Sequence, residues 1–119
     1  EEAMLDVARD VNTEDKWSTI VIKGNQLFDQ GQFQQAANTY SQSLIFISLT
    51  DKDARSKVYY CRALAYLKQH KWEAALVDSD CLLHVSSSEY KARALYLRAM
   101  ARAGKGESAA AIEDMQQAS

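Results

Sequence analysis

The sequence predicts an all-α protein, a right-handed α-solenoid of three antiparallel helix pairs, on three observations. The first is the stretch from Ser56 to Leu82, SKVYYCRALAYLKQHKWEAALVDSDCL, which reads as two helices folded back on each other. Tyr59, Arg62, Ala63 and Tyr66 step by three and four residues along one of them. Trp72, Ala75, Leu76, Ser79 and Leu82 do the same along the other. The link, Gln69-His70-Lys71, is polar and short enough to force the pair antiparallel. The second observation is that this hairpin is copied. Shifted back by 39 residues, Ala63, His70 and Ala75 fall on Gly24, Gly31 and Ala36. Shifted forward by 36, they fall on Ala99, Gly106 and Ala111. The third is composition: the 119 residues include no proline, and alanine, leucine, glutamine and lysine are abundant, which favours helix.

Taken in order, Glu1 to Val11 carries a helical pattern with acidic residues at its start, so residues 1–16 are read as a helical lead-in. Asn12 or Thr13 is placed to cap the next helix, about Glu14 to Gln30, which Gly31 closes. Its partner is expected from about Phe33 to Leu49. Thr50-Asp51-Lys52-Asp53 supplies caps for a helix over about Asp51 to Gln69, followed by one over about Trp72 to Val85. Ser86 with Glu89 has capping-box spacing and opens a helix over about Ser87 to Ala103. Gly104-Lys105-Gly106 breaks it, and Glu107 to Ala118 forms the last. A hairpin of this size cannot bury its own apolar face, so the pairs must stack on one another. The repeats run over about 17–50, 56–89 and 92–119.

The repeating unit, small residue, turn residue and alanine at one shared offset, resembles the tetratricopeptide repeat family, whose period is about 34 residues. The resemblance covers about Trp17 to Ser119. It rests on Gly24, Ala63 and Ala99, on Leu27 and Tyr66 three residues further, on Ala36, Ala75 and Ala111, and on Tyr40. Arg102 stands where a large apolar residue is usual, and no copy ends in proline.

Arg62 and Asp78 are 16 residues apart, as are Arg98 and Asp114. Across a hairpin folding near 70 or 106 these positions face each other, so each later repeat is expected to carry an ion pair. The plain expectation is a surface pair contributing under about 1 kcal/mol. Lys23 and Thr39 leave the first repeat without one.

Function classes narrow quickly. His70 lies in a turn and His84 near a helix end, which makes neither a triad nor a metal site, and Gly-Lys-Gly is no phosphate-binding loop. No cofactor is expected, and the reading is a binding scaffold rather than an enzyme. Net charge is −2, which gives no bulk attraction to nucleic acid or to membranes. No apolar run is long enough for a membrane span. Two cysteines, Cys61 and Cys81, with no metal-type spacing point to free thiols in a reducing, cytoplasmic setting. The chain starts without methionine and stops within a helical pattern, so a longer protein is expected around it.

The family resemblance implies a concave groove lined by the first helix of each pair. That face carries Ser18, Val21, Asn25 and Phe28, then Lys57, Tyr60, Cys61, Leu64 and Lys68, then Arg93, Tyr96, Leu97 and Met100. Such a wall, apolar and aromatic with cations, suits an extended peptide whose carboxylate is held by Lys57, Lys68 or Arg93. Lys23-Gly24-Asn25 with Phe28, and Arg62-Ala63, are similar to co-chaperone tetratricopeptide domains, which grip the C-terminal Glu-Glu-Val-Asp tail of heat-shock chaperones in a five-residue carboxylate clamp. Carried over, the clamp positions fall on Val21, Asn25, Cys61, Arg93 and Leu97, with one identity and one conservative change. The expectation is a degenerate clamp with more apolar specificity. The alternative is an architectural module that docks a folded partner, or a second copy, through its convex face or through Ile112 and Met115 of the last helix.

Overall fold

The structure, a computed structural model, describes the backbone of residues 2–85 and 88–118 and the side chains of residues 16–85, 90–107 and 109–118. Six helices follow in order, with no strand among the described residues: α1 (Glu2–Asp29), α2 (Phe33–Leu44), α3 (Lys52–Lys68), α4 (Trp72–Val85), α5 (Ser88–Gly104) and α6 (Ser108–Ala118). Each helix packs against the next, and α3 also touches α1 on one side and α5 on the other. Among the described residues no helix packs on one further along the chain than that, which is how a solenoid differs from a globular bundle. The result is elongated, 59 × 30 × 18 Å.

The copied columns have copied surroundings. Ala36, Ala75 and Ala111 are all buried, as are Gly24, Ala63 and Ala99. The small residue matters at Gly24, where an added Cβ would lie 2.6 Å from the Tyr40 ring. At the turns, Gly31, His70 and Gly106 have φ of 79°, 59° and 88°. The turn inside each helix pair therefore places one residue in the left-handed region, which glycine enters without strain and histidine does not. Two cores result. One gathers Val21, Ala37, Tyr40 and Val58 around the first two pairs, and the other gathers Tyr59, Leu67, Leu82 and Leu97 around the last two.

Three expectations on elements need correction. Asn12 and Thr13 do not start a helix, because α1 runs through them unbroken. No proline or glycine interrupts residues 2–23, and asparagine or threonine inside a helix costs only a few tenths of a kcal/mol against average residues. The second helix stops at Leu44 rather than Leu49. There the N–H groups of Ile45, Phe46 and Ile47 turn to the carbonyls three residues back, and Ser48 Oγ accepts from the Thr50 N–H at 3.2 Å. That tightening folds Ile47 into the first core, 6% exposed. Asp51 caps α3, as its sequence position indicates, accepting from Ala54 N at 3.2 Å. The expected capping box at Ser86 and Glu89 lies outside the described residues.

The third correction concerns the ion pairs, which are not surface pairs. Arg62 donates to both oxygens of Asp78, at 2.8 and 2.6 Å, and Arg98 to both oxygens of Asp114, at 3.1 and 2.8 Å. Both carboxylates are buried. Burial pushes the Asp78 carboxyl above its ordinary value, against the pull of Arg62. Burial pulls the Arg62 guanidinium down, but the hydrogen bonds to Asp78, that carboxylate's charge, and Tyr66 and Tyr59 together hold it above its ordinary value. Each arginine also reaches the preceding pair: Arg62 to Ser41 Oγ at 3.0 Å, Arg98 to Asp80 at 3.4 Å. One side chain thereby ties three helices together.

Candidate peptide-binding groove

The first helix of each pair, α1, α3 and α5, contributes to one face, and α3 sits between the other two. Two of the expected site residues are not on it. Val21 is 2% exposed and Leu97 is 1% exposed, each inside a core. An apolar side chain at either register gains more by packing between neighbouring helices than by facing solvent. Neither can touch a ligand.

Asn25 is exposed, and its Oδ1 accepts from the Tyr40 hydroxyl at 2.6 Å. Burial raises the Tyr40 phenol, with Cys61 and Asp29 adding to the shift, so the hydroxyl stays protonated and donates. Among the described residues no hydrogen bond engages the Asn25 amide N–H₂. Cys61 is half-buried beside this pair, and burial pushes its thiol up, with Lys57 pulling it the other way. Phe28 is half-buried too, edge-on to Phe33 at 5.0 Å.

The α3–α5 half of the face holds Tyr60, Leu64, Lys68, Arg93, Tyr96 and Met100 in two adjoining clefts, while Lys57, exposed on α3, lines neither. The smaller, about 280 Å³, is lined by Tyr60, Ala92, Arg93, Tyr96 and Ala118. Arg93 lies over the rings of Tyr60 and Tyr90, 5.5 Å from each centroid, and those rings meet edge to face at 6.4 Å. Two aromatic faces fix the plane of the guanidinium. The larger cleft, about 690 Å³, is lined by Leu64, Leu67 and Lys68 at the end of α3, by Tyr96, Met100, Ala103 and Gly104 of α5, and by His70 and Trp72. Tyr96 borders both. Lys57, Lys68 and Arg93 form no ion pair among the described residues, whereas Arg62, Arg98 and Arg102 are all tied to carboxylates.

Sequence reasoning missed Tyr90, Trp72 and His70 as parts of this face. Tyr90 was legible, one helical turn before Arg93. Trp72 and His70 read as repeat markers, and only the approach of α5 turns them toward a cleft. Among the described residues no group of histidines, cysteines and carboxylates could hold a metal ion, and no helix is long and apolar enough to cross a membrane.

This arrangement has close structural counterparts. The C-terminal TPR-containing domain of a Plasmodium falciparum FK506-binding protein superposes with a TM-score of 0.79 at 20% identity, over 92% of this chain and 78% of that one. The second TPR of Spaghetti (RPAP3), bound to an HSP90 peptide, gives 0.74 at 21% identity, over 99% of this chain and 96% of that one. The chain is a tetratricopeptide repeat domain by fold. Among curated relatives, the tetratricopeptide domain is 38% identical over 96 residues to a DnaJ homolog subfamily C member 7 homolog of Schizosaccharomyces pombe, a match covering 81% of this chain and 20% of that protein. It is 27% identical over 106 residues to the human mitochondrial import receptor subunit TOM70, covering 89% of this chain and 17% of that one. The domain therefore spans a fifth or less of either relative. No protein-family model matches it.

Proposed function

We propose that the tetratricopeptide domain is a protein-interaction module that holds an extended peptide along α1, α3 and α5, as the recruiting part of a chaperone-linked adaptor in the cytoplasm. The observation that carries this reading is the set of cations without a carboxylate partner among the described residues, Lys57, Lys68 and Arg93, on a face that leaves Tyr96 50% exposed and Met100 38% exposed. Cations left without carboxylates beside exposed aromatic surface fit a ligand that brings both acid and apolar groups. The HSP90 peptide held by the RPAP3 neighbour and the DnaJ homolog among the relatives support the chaperone link. With Val21 and Leu97 in the cores, a terminal carboxylate meets Asn25 and Arg93 rather than five clamp donors, so the hold is looser than a full clamp. On this reading the chain binds and does not catalyse.

Calorimetric titration of the heptapeptide SRMEEVD tests it, with the free acid compared to its C-terminal amide. Binding of the free acid is expected, weakened about tenfold by Arg93→Ala and by amidation. No binding of either form, with Arg93→Ala silent, would reject the groove. Capture of a folded partner or of a second copy through α6, where Ile112 stands exposed, would then be the better account.

A further inference from the structure

We propose that Thr50, in the turn between α2 and α3, is a phosphorylation site for an acid-directed serine/threonine kinase, and that Arg55 and Lys52 hold the added phosphoryl group. The turn joins the first two repeats and lines neither cleft of the inner face.

Access comes first. Outside the helices, Ser48 and Thr50 are the only serine and threonine among the described residues. Every residue from Ser48 to Asp53 is exposed. The backbone there is held by short-range bonds, the Asp51 N–H to the Ser48 carbonyl at 3.1 Å and the Lys52 N–H to that of Thr50 at 3.0 Å. A kinase takes its acceptor in extended form, and a surface segment so lightly tied opens at little cost. The two hydroxyls are also unequal. Ser48 Oγ accepts from the Thr50 N–H at 3.2 Å, which helps set the turn, and Asp51 caps α3. Among the described residues the Thr50 hydroxyl meets only Ser48 Oγ, at 2.9 Å. Thr50 is therefore the one to spare.

Charge then selects the enzyme. Thr50 is followed directly by Asp51 and, three residues on, by Asp53, whereas residues 24–49 hold no lysine or arginine. Acids after the acceptor and no cation before it suit a kinase with a basic substrate channel. Cations also await the product. Arg55 donates to the Ile47 carbonyl at 3.4 Å and to the Tyr59 hydroxyl at 2.6 Å, and meets no carboxylate among the described residues. Lys52 is exposed in the first turn of α3, and Lys16 lies over the Phe46 ring at 4.9 Å. These three are set against the carboxylates of Asp51 and Asp53, and the start of α3 itself favours an anion. In the transfer, Thr50 Oγ1 bonds to the γ-phosphorus of ATP as the bond to ADP breaks, and the hydroxyl proton passes to the kinase's catalytic base.

The experiment incubates the folded chain with casein kinase II, an acid-directed enzyme, and ATP–Mg²⁺, and maps the product by mass spectrometry. Phosphate is expected on Thr50, added about tenfold more slowly in Asp53→Asn. Phosphorus magnetic resonance then follows the second ionisation of that phosphate, ordinarily at about pH 6. It is expected below that value in the parent, since nearby cations favour the dianion, and higher in Arg55→Gln and in Lys52→Gln. Lys52 is exposed, so its variant still reports if loss of the Arg55–Tyr59 bond disturbs α3 in the circular dichroism. The proposal is overturned if Thr50 of the folded chain takes up no phosphate, or if Asp53→Asn is labelled as fast as the parent. An ionisation that neither cation variant moves overturns it equally.

Discussion

Arg62 grips both oxygens of Asp78, at 2.8 and 2.6 Å, while the carboxylate is 1% exposed, so the link between α3 and α4 is a charge pair set into the core. The same relation recurs 36 residues on, between Arg98 and Asp114. Repetition of a buried pair at the repeat's own spacing makes it part of the unit's design rather than an isolated contact.

Removing one partner should therefore hurt far more than removing both. Arg62→Ala leaves a buried carboxylate unpaired and is expected to lower unfolding free energy by about 3 kcal/mol in urea titrations. The double change Arg62→Met with Asp78→Leu, which removes both charges, should lie within about 1 kcal/mol of the parent. A double variant as unstable as the single one would show that the pair itself, not burial of an orphan charge, carries the energy.

The second pair should tolerate loss of its arginine better. Asp114 also accepts from Arg102 at 2.8 Å, so Arg98→Ala leaves the carboxylate with a cation. Its cost is expected at about 1 kcal/mol, clearly below that of Arg62→Ala. Equal costs at the two sites would argue against sharing by Arg102.

Two glycines should separate packing from backbone. Gly24→Ala drives a methyl group into Tyr40, whose hydroxyl is fixed on Asn25, and is expected to cost about 2 kcal/mol. Gly31→Ala meets nothing within 4 Å and should cost about 1 kcal/mol for its φ of 79° alone. Thermal melts of the two single variants and their combination check the order, and should show near-additivity.

The thiols should be sluggish. Burial raises both Cys61 and Cys81, so less thiolate is present at a given pH than for a free cysteine. Iodoacetamide at pH 8 is expected to alkylate the folded chain more slowly than the urea-unfolded chain. Lys57→Gln, which removes a charge that lowers the Cys61 value, should slow that site further. Faster alkylation in the folded chain would contradict this.

The sequence by itself determined the unit and its copying. Offsets of 39 and 36 residues located three left-handed turns, three buried alanines and the partners of two ion pairs, because all of these depend on geometry inside one hairpin. The spacing that paired Arg62 with Asp78 is set by helix pitch and turn length, which a chain carries locally. Where a signal depended on neighbours, sequence was a poorer guide. Val21 and Leu97 occupy registers that could face either a groove or an adjoining helix, and the volumes packed between repeats chose the second. Ile47 drew the end of α2 into a core, and that shortened the helix. The larger cleft belongs to no single repeat: Trp72 and His70 come from one pair and Gly104 and Met100 from the next. Its existence was decided only by how closely α5 settles on the turn before α4, because a surface shared by two units is fixed by their stacking and not by either unit's pattern.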